Sequence, residues 1–298
     1  MKNRLGDDEF WKNRKVDYNM KISIAVPSYN YAQYIEACLS SIQQQSYDDF
    51  EVLIADGGST DASLDIIHKF CKGDKRFRLV STEDEGQADA VQRAFSEASG
   101  DIFCFLNADD CYLSQSTFND VVDTFTSYQD IDLISFGGYF IDEAGKLIKR
   151  IHYRYHSLDG FHLMRYRTAV LQPGTFWKKG VYDSQTWPSQ FHFVFDVFFF
   201  YRAFEKYSWL ELPKPVAGYR LHGENKSLTI RPERIDELAD FEAIKFSNTS
   251  FRVMYLRVIA AVMRGCEKLG ALSHPLKKCV YLVVNSLAYL SVYRLPGI

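Results

Sequence analysis

The sequence predicts an α/β fold: a mainly parallel central sheet with flanking helices, followed by a C-terminal helical extension. Three observations lead there. Over residues 21 to 110, short apolar runs alternate with stretches of helical periodicity. Four of those runs end in loops rich in Asp, Asn, Gly and Ser. Beyond residue 229 the pattern is helical and increasingly basic.

Each element has its own signal. Residues 1 to about 20 are polar and charged, an arm with no apolar core and no signal-peptide character. Ile22-Ser23-Ile24-Ala25-Val26 reads as a strand stopped by Pro27. Tyr34, Ile35, Cys38, Leu39 and Ile42 recur at helical spacing, which predicts a helix over 31–46. Phe50 to Ala55 is a second strand, and Asp56-Gly57-Gly58-Ser59-Thr60-Asp61 a turn leading to a helix marked by Leu64, Ile67, His68 and Cys71. Arg76 to Ser81, Gly86 to Ala98 and Ile102 to Leu106 follow as strand, helix and strand. Right-handed βαβ crossovers place the four strand-end loops on one rim of a parallel sheet.

After residue 110 the regularity loosens. Ile131 to Phe136 is a strand, and Tyr139 to Arg150 a hairpin around Glu143-Ala144-Gly145. Gln172-Pro173-Gly174-Thr175-Phe176-Trp177 leads into another strand. The aromatic stretch from Asp196 to Tyr207 has helical length, and its all-round apolarity implies burial. Val216 to Leu221 is the last strand, and the chain from Ile230 onward is helical.

Composition narrows the function. The 298 residues are 47% hydrophobic, 15% aromatic and 24% charged, as in a folded globular protein. A net charge of -3 argues against a general nucleic-acid binder. From Ser250 to the end, seven Lys/Arg face one acid, so the tail is +6 and the remainder -9. Six scattered cysteines with no CxxC spacing read as thiols of a reducing compartment, not as a zinc or redox site.

The chemistry sits where Phe103-Cys104-Phe105-Leu106 runs into Asn107-Ala108-Asp109-Asp110. Two adjacent carboxylates at the carboxyl edge of a sheet suit Mg²⁺ or Mn²⁺, which bind one or two carboxylates plus substrate phosphates. The competing reading is an Asp-rich turn. Convergence with Pro27-Ser28-Tyr29-Asn30, Asp56-Gly57-Gly58 and Glu85-Gly86-Gln87 on the same rim favours a site.

Six segments in order resemble the family 2 glycosyltransferases of the GT-A fold, a large bacterial group of inverting enzymes. They are Ser23–Asn30, Glu51–Asp61, Asp84–Ala90, Leu106–Asp110, Gln172–Lys179 and Gly218–His222, within 21–228. The resemblance implies a nucleotide-diphospho-sugar donor, a UDP-sugar by preference, and a glycan or lipid-linked acceptor. It divides the domain into a nucleotide-sugar half, 21–115, and an acceptor half, 116–228, with a basic helical region at 229–298.

Carried over residue by residue, the resemblance assigns Mn²⁺ or Mg²⁺ to Asp109, with Asp110 a second ligand or water-holder and His222 near the metal or diphosphate. Asn107 stands at the first position of the family's Asp-x-Asp pattern and removes one negative charge. Pro27, Ser28, Tyr29, Asn30, Asp56, Gly86, Gln87, Asn107 and Ala108 are implied in donor binding, Tyr29 by stacking and Asp56 by accepting from the base. Asp89 and Arg93 either reach the donor or form an i,i+4 salt pair. Asp196, six residues before Arg202, is the implied general base, although Phe195 and Phe198 stand where acids are usual; a helix N-cap is its plainer reading.

Two rival functions remain open: a non-catalytic nucleotide-sugar-binding partner in an assembly complex, and a nucleotidyltransferase, which lacks its glycine-rich phosphate loop here. In the tail, Arg257, Arg264 and Lys268 share one helix face, opposite Phe251, Tyr255, Val258 and Val262. Cys279 to Tyr293 is apolar but short for a membrane span. These features predict a helix lying in the membrane interface through 250–298, hence a protein peripheral on the cytoplasmic face of the inner membrane. Packing on the domain, or a homo-oligomer contact, is the alternative.

Overall fold

In the computed structural model the described residues are 20–151, 170–223, 225, 232–246 and 251–268. The expected arm over 1–19 and the apolar segment 279–293 lie outside them. The chain divides into two units, one of Met1–Gln190 with Phe195–His222, the other of Phe191–Val194 with Gly223–Ile298.

The first unit opens with β1 (Ile22–Ser28), α1 (Ile35–Gln43), β2 (Phe50–Asp56), α2 (Ser63–Gly73), β3 (Phe77–Ser81), α3 (Gln87–Ser96) and β4 (Ile102–Phe105). It continues with β5 (Cys111–Tyr112), α4 (Thr117–Ser127), β6 (Leu133–Ile141) and β7 (Leu147–Ile151). A 3₁₀ turn at Gln172–Gly174 leads to β8 (Thr175–Lys178), α5 (Lys179–Asp183), α6 (Phe195–Lys206) and β9 (Trp209–Arg220). Among the described residues one sheet holds the nine strands, in the order β3-β2-β1-β4-β8-β6-β9-β5, with β7 pairing β6.

The sheet is mixed. β3, β2, β1 and β4 pair in parallel, as the alternating pattern predicts, and β6 pairs β9 in parallel. β8 runs antiparallel to both β4 and β6, and the β6–β7 and β5–β9 pairs are antiparallel. The tight turn at Asp142–Gly145, closed by the Lys146 carbonyl accepting from the Asp142 N–H at 2.9 Å, makes the β6–β7 pair antiparallel.

Pro27 does not stop β1; it pairs with Ala55 inside the strand. The Ala25 carbonyl accepts from Leu106, so alternate backbone groups of β1 face β4. Pairing with β4 ends at Phe105, opposite Ala25, and the N–H that Pro27 lacks has no ladder partner to lose. β9 is longer than its apolar end predicts. Pro213 and Pro215 interrupt the strand signal over 209–215, and they fall where the β6–β9 register shifts. Next to that irregularity a Cβ on Gly138 would sit 2.1 Å from the Ala217 carbonyl oxygen, so the close approach of β6 and β9 requires glycine.

β1 and β2 are buried along their whole length, which explains their continuous rather than alternating apolarity. The aromatic helix α6 buries Phe195, Phe198, Phe199, Phe200, Tyr201 and Phe204. Phe199 and Phe200 meet the fully buried Trp177 of β8 at centroid separations of 5.1 and 5.6 Å.

In the second unit, α7 (Pro232–Phe246) buries Ile235, Leu238, Ala239 and Phe241, and α8 (Phe251–Lys268) buries Val253, Leu256, Ile259 and Ala260. Two basic residues of the tail are used within this pair of helices. Arg257 reaches Asp240 at 2.9 Å and Arg264 reaches Asp236. The expected basic face is thus partly neutralised, while Met254, Val258 and Val262 are exposed. Among the described residues no helix is long and apolar enough to cross a membrane.

At the amino edge of the sheet Glu51 of β2 is buried. It accepts from the Ser99 N–H at 2.6 Å and the Ser23 and Ser99 hydroxyls at 2.7 and 2.9 Å, and it pairs with Lys21 at 3.2 Å. Burial raises its carboxyl pKa, but these donors outweigh burial and leave it below the ordinary value. A depressed carboxyl contributes stability above its unfolded pKa that is lost as pH falls through the folded one. Glu51→Gln is therefore expected to cost about 2 kcal/mol at pH 7. The deficit against wild type should shrink below about pH 4, measured by urea unfolding across pH.

Candidate active site

The carboxyl edge of β4 and the end of β9 come together by register. Cys111 pairs with Gly218 and Tyr112 with Ala217, so the residues just before β5 lie beside those that follow Gly218. The chain turns at Asn107–Asp110, with the Asp110 N–H donating to the Asn107 carbonyl at 3.0 Å. Asp109 Oδ2 then lies 2.9 Å from His222 Nε2, and both residues are buried. Tyr34 and Tyr31 pack on the imidazole at ring separations of 5.0 and 6.1 Å and fix its plane.

Arg220 locks this turn. Its N–H donates to Asp110 Oδ1 at 2.9 Å and its Nε to the Asp109 carbonyl at 2.7 Å. Its Nη1 donates to the carbonyls of Asp142 and Glu143 at 3.0 and 2.8 Å, and its guanidinium lies over Tyr34. Asp110 Oδ2 is buried and makes no hydrogen bond of normal geometry. Burial, and then the Asp109 charge, push the Asp110 carboxyl well above the usual carboxylate range, against the pull of Arg220.

The loops after β1 and β2 are tied to each other. Asn30, at φ +55°, accepts from the Thr60 N–H at 2.8 Å and donates its own N–H to Ser59 Oγ at 2.8 Å. Asp56 is buried and accepts from the Gly58 and Ser59 N–H groups and from Ser59 Oγ, so its carboxylate first of all holds this loop. Ser28 Oγ is buried without a hydrogen bond, and Tyr29 is 58% exposed at the rim. Behind the loop a Cβ on Gly57 would come within 3.0 Å of Asp84 Oδ2, so the glycine leaves room for that carboxylate. Asp84 accepts from the Gly86 N–H at 2.8 Å, with Gly86 at φ +123°. Burial raises the Asp84 pKa, and the charges of Asp89 and Asp56 add to the rise, against the Gly86 bond.

A series of amides crosses the rim. Gln87 Nε2 donates to Asn107 Oδ1 at 2.6 Å, Asn107 Nδ2 to Gln172 Oε1 at 3.3 Å, and Gln172 Nε2 to the Phe105 carbonyl. Ala108, the next residue, is buried. Asp89 and Arg93 form the salt pair at 2.7 Å, and Asp89 also accepts from the Glu85 N–H. Asp196 lies in the first turn of α6 and accepts from the Val197 N–H at 2.8 Å. The preceding residue, Phe195, packs on Phe105 and Trp187 at 5.8 Å each, and Trp187 donates to the Ala88 carbonyl at 2.8 Å. That packing carries the start of α6 to the carboxyl end of β4.

Direct bonds thus join Gln87, Asn107, Asp109, Asp110 and His222 into one framework, and join Asn30 to Asp56 through Ser59. Arg93 is engaged with Asp89. Arg220, Gln172 and Asp84 were not among the residues expected to build the site. Each lies within a segment that carries the family resemblance, which is the signal that could have found them. Among the described residues no three or more His, Cys, Asp or Glu side chains are gathered to hold a metal ion. Asp109 with His222 is a pair, of the size that substrate phosphates complete.

The glycosyl transferase family 2 model matches residues 23–206, and the chain belongs to that family. The putative glycosyltransferase EpsH of Bacillus subtilis is 26% identical over 67% of this chain and 61% of its own length. A PGL/p-HBAD biosynthesis glycosyltransferase of Mycobacterium tuberculosis is 29% identical over 54% of this chain and 60% of its own. The chain therefore spans less than two-thirds of these relatives. Among solved structures, S. aureus TarS in complex with UDP-GlcNAc superposes with a TM-score of 0.57 at 18% identity, over 81% of this chain and 79% of that one. A mannosyltransferase of Pyrobaculum calidifontis, in complex with GDP-Man and Mn²⁺, gives 0.57 at 18% identity over 96% and 86%. These likenesses establish the fold, that of GT-A glycosyltransferases.

Replacing Arg220 with Met is expected to cost about 3 kcal/mol, because three backbone carbonyls and Asp110 lose a buried cation. Thermal unfolding measures this, and Arg220→Lys should recover part of the loss. Asn107→Asp keeps the acceptor for Gln87 but sets a carboxylate against Gln172 Oε1, so a loss of about 1–2 kcal/mol is expected in the same assay.

Proposed function

We propose that the protein is an inverting glycosyltransferase that moves a sugar from a nucleotide-diphospho-sugar, a UDP-sugar by preference, to a hydroxyl of a glycan or lipid-linked acceptor. The observation that carries this reading is the buried Asp109–His222 pair, 2.9 Å apart at the carboxyl edge of the sheet. One carboxylate and one imidazole suit Mn²⁺, and Mg²⁺ less well, with donor phosphate oxygens completing the shell. Asp110, whose Oδ2 is buried without a hydrogen bond, would hold water near such an ion. When bound, such an ion neutralises the charge that develops on the departing diphosphate.

The chain's own groups supply the rest. Pro27 to Asn30, Asp56 and Gly86 form the nucleoside edge, with Tyr29 exposed for stacking. Gln87, Asn107 and Ala108 line the phosphate and sugar side. Asp89 in the first turn of α3 and Arg93 in its last turn are held as a pair and flank the donor. Asp196 takes the proton of the acceptor hydroxyl as that oxygen attacks the anomeric carbon. The bond from that carbon to the diphosphate oxygen breaks on the opposite face, and the nucleoside diphosphate leaves. Structural neighbours in complex with UDP-GlcNAc, or with GDP-Man and Mn²⁺, support the donor and the metal. The exposed Met254, Val258 and Val262 support a peripheral position on a cytoplasmic membrane surface, where lipid-linked acceptors reside.

A panel of nucleotide diphosphates and nucleotide-sugars, with and without Mn²⁺, tests the donor site by thermal stabilisation. UDP with Mn²⁺ should stabilise most, and Asp109→Asn should abolish the Mn²⁺-dependent part. Asp196→Asn should keep donor binding while lowering turnover by about 10²–10⁴-fold, the contribution of a general base. Binding without turnover across a broad acceptor panel would replace the enzyme reading with that of a nucleotide-sugar-binding partner.

A further inference from the structure

The segment that opens with Gln172 carries part of the family resemblance, yet the proposed chemistry gives it no task. Gln172 itself is buried, at the start of the 3₁₀ turn before β8. That turn is fixed by its own bonds: the Leu171 carbonyl accepts from the Gly174 N–H at 2.9 Å and from Thr175 Oγ1 at 2.8 Å. A Cβ on Gly174 would come within 3.0 Å of the Phe136 carbonyl oxygen, so the turn lies close against β6. From this anchor the Gln172 side chain spans two groups. Its Nε2 donates to the carbonyl of Phe105, the last residue of β4, and its Oε1 accepts from Asn107 Nδ2 at 3.3 Å. Asn107 passes the constraint on, since its Oδ1 accepts from Gln87 Nε2 at 2.6 Å.

Turning Asn107 over would set its oxygen against Gln172 Oε1 and its nitrogen against Gln87 Nε2, leaving polar groups unmet in a part-buried place. Gln172 thus holds Asn107 in one sense, and Asn107 holds Gln87. Gln87 is half-buried at the first position of α3. Its Oε1 and second Nε2 hydrogen have no partner among the described residues. They offer an acceptor and a donor side by side. A hydroxyl can meet either of them, whereas a phosphate oxygen can meet only the donor. We infer that Gln172 is a positioning residue which, through Asn107, holds Gln87 to a sugar hydroxyl of the donor, on the ribose or on the transferred sugar. The inference rests on this rim being the donor site. It gives Gln172, which touches no donor atom itself, a part in deciding which donor is bound.

The test measures Kd by calorimetry in the full chain, with Mn²⁺, for UDP, 2′-deoxy-UDP, 3′-deoxy-UDP, UDP-glucose, UDP-galactose and UDP-N-acetylglucosamine. The variants are Gln87→Met, Gln172→Met and the two combined. If Gln87 reads a ribose hydroxyl, wild type prefers UDP to one deoxy analogue, and each single variant reduces that preference by about three- to tenfold. If it reads the transferred sugar, each single variant weakens at least one UDP-sugar by that factor and leaves UDP within about twofold. In both cases Gln172→Met should add less than about twofold on top of Gln87→Met, because it acts through that residue. Gln172→Asn keeps the amide but is one methylene short of spanning its two partners, and it takes the place of Gln172→Met if that variant does not fold. Unchanged preferences in the Gln172 variant, an equal loss for every compound, or additive losses in the double variant would each overturn the inference while leaving the donor site in place. Wild type that binds none of these compounds removes the donor reading, and this inference with it.

Discussion

A single buried guanidinium holds the site together. Arg220 is 3% exposed, and a cation so far from water is tolerated only where acceptors replace the lost hydration. Its acceptors come from two turns that the chain visits far apart: the turn after β4, through the Asp109 carbonyl and, for the Arg220 N–H, the Asp110 carboxylate, and the turn between β6 and β7. The cost of leaving that charge unpaired fixes these two turns relative to β9. His222, two residues on, then meets Asp109 with no search of its own. The aromatic faces of Tyr31 and Tyr34 complete the packing from α1's approach.

Much of this was legible from residue order alone. The alternation of runs and periodic stretches through Phe105 gave the four parallel strands, because βαβ units leave little topological freedom. Their end loops were recognisably the loaded edge. What stayed hidden has physical causes. β9 could not be seen before Val216, since Pro213 and Pro215 break a strand pattern yet are accepted at a register shift. Pro27 looked like a stop, yet the strand continues through it because its neighbour has already ended. Asp56 read as a base-recognising carboxylate, whereas its oxygens also anchor Ser59 and Gly58, a local use that spacing does not announce. Arg220 was visible as a residue but not as a clamp, since its partners lie 77 to 111 positions away.

The tail shows the same limit of one-dimensional reading. A helical wheel places Arg257 and Arg264 on a basic face, suited to lipid headgroups. In three dimensions they answer Asp240 and Asp236 of the preceding helix, so the charge asymmetry of the chain is partly cancelled within the unit that carries it. What the wheel does predict correctly is the exposed apolar side at Val258 and Val262.

The amides of Gln87, Asn107 and Gln172 form a line with a direction. The Phe105 carbonyl can only accept, so Gln172 must turn its nitrogen toward it and its oxygen toward Asn107. Asn107 is oriented in turn, and so is Gln87. One backbone oxygen of β4 thereby sets the polarity of three side chains, and the outermost member is left with its oxygen as the end of the line. That end presents a fixed arrangement of groups: the Gln87 oxygen accepts, and the second Nε2 hydrogen, the one not given to Asn107, donates. A neutral relay of this kind selects by hydrogen-bond sense, without adding charge beside Asp109 and Asp110.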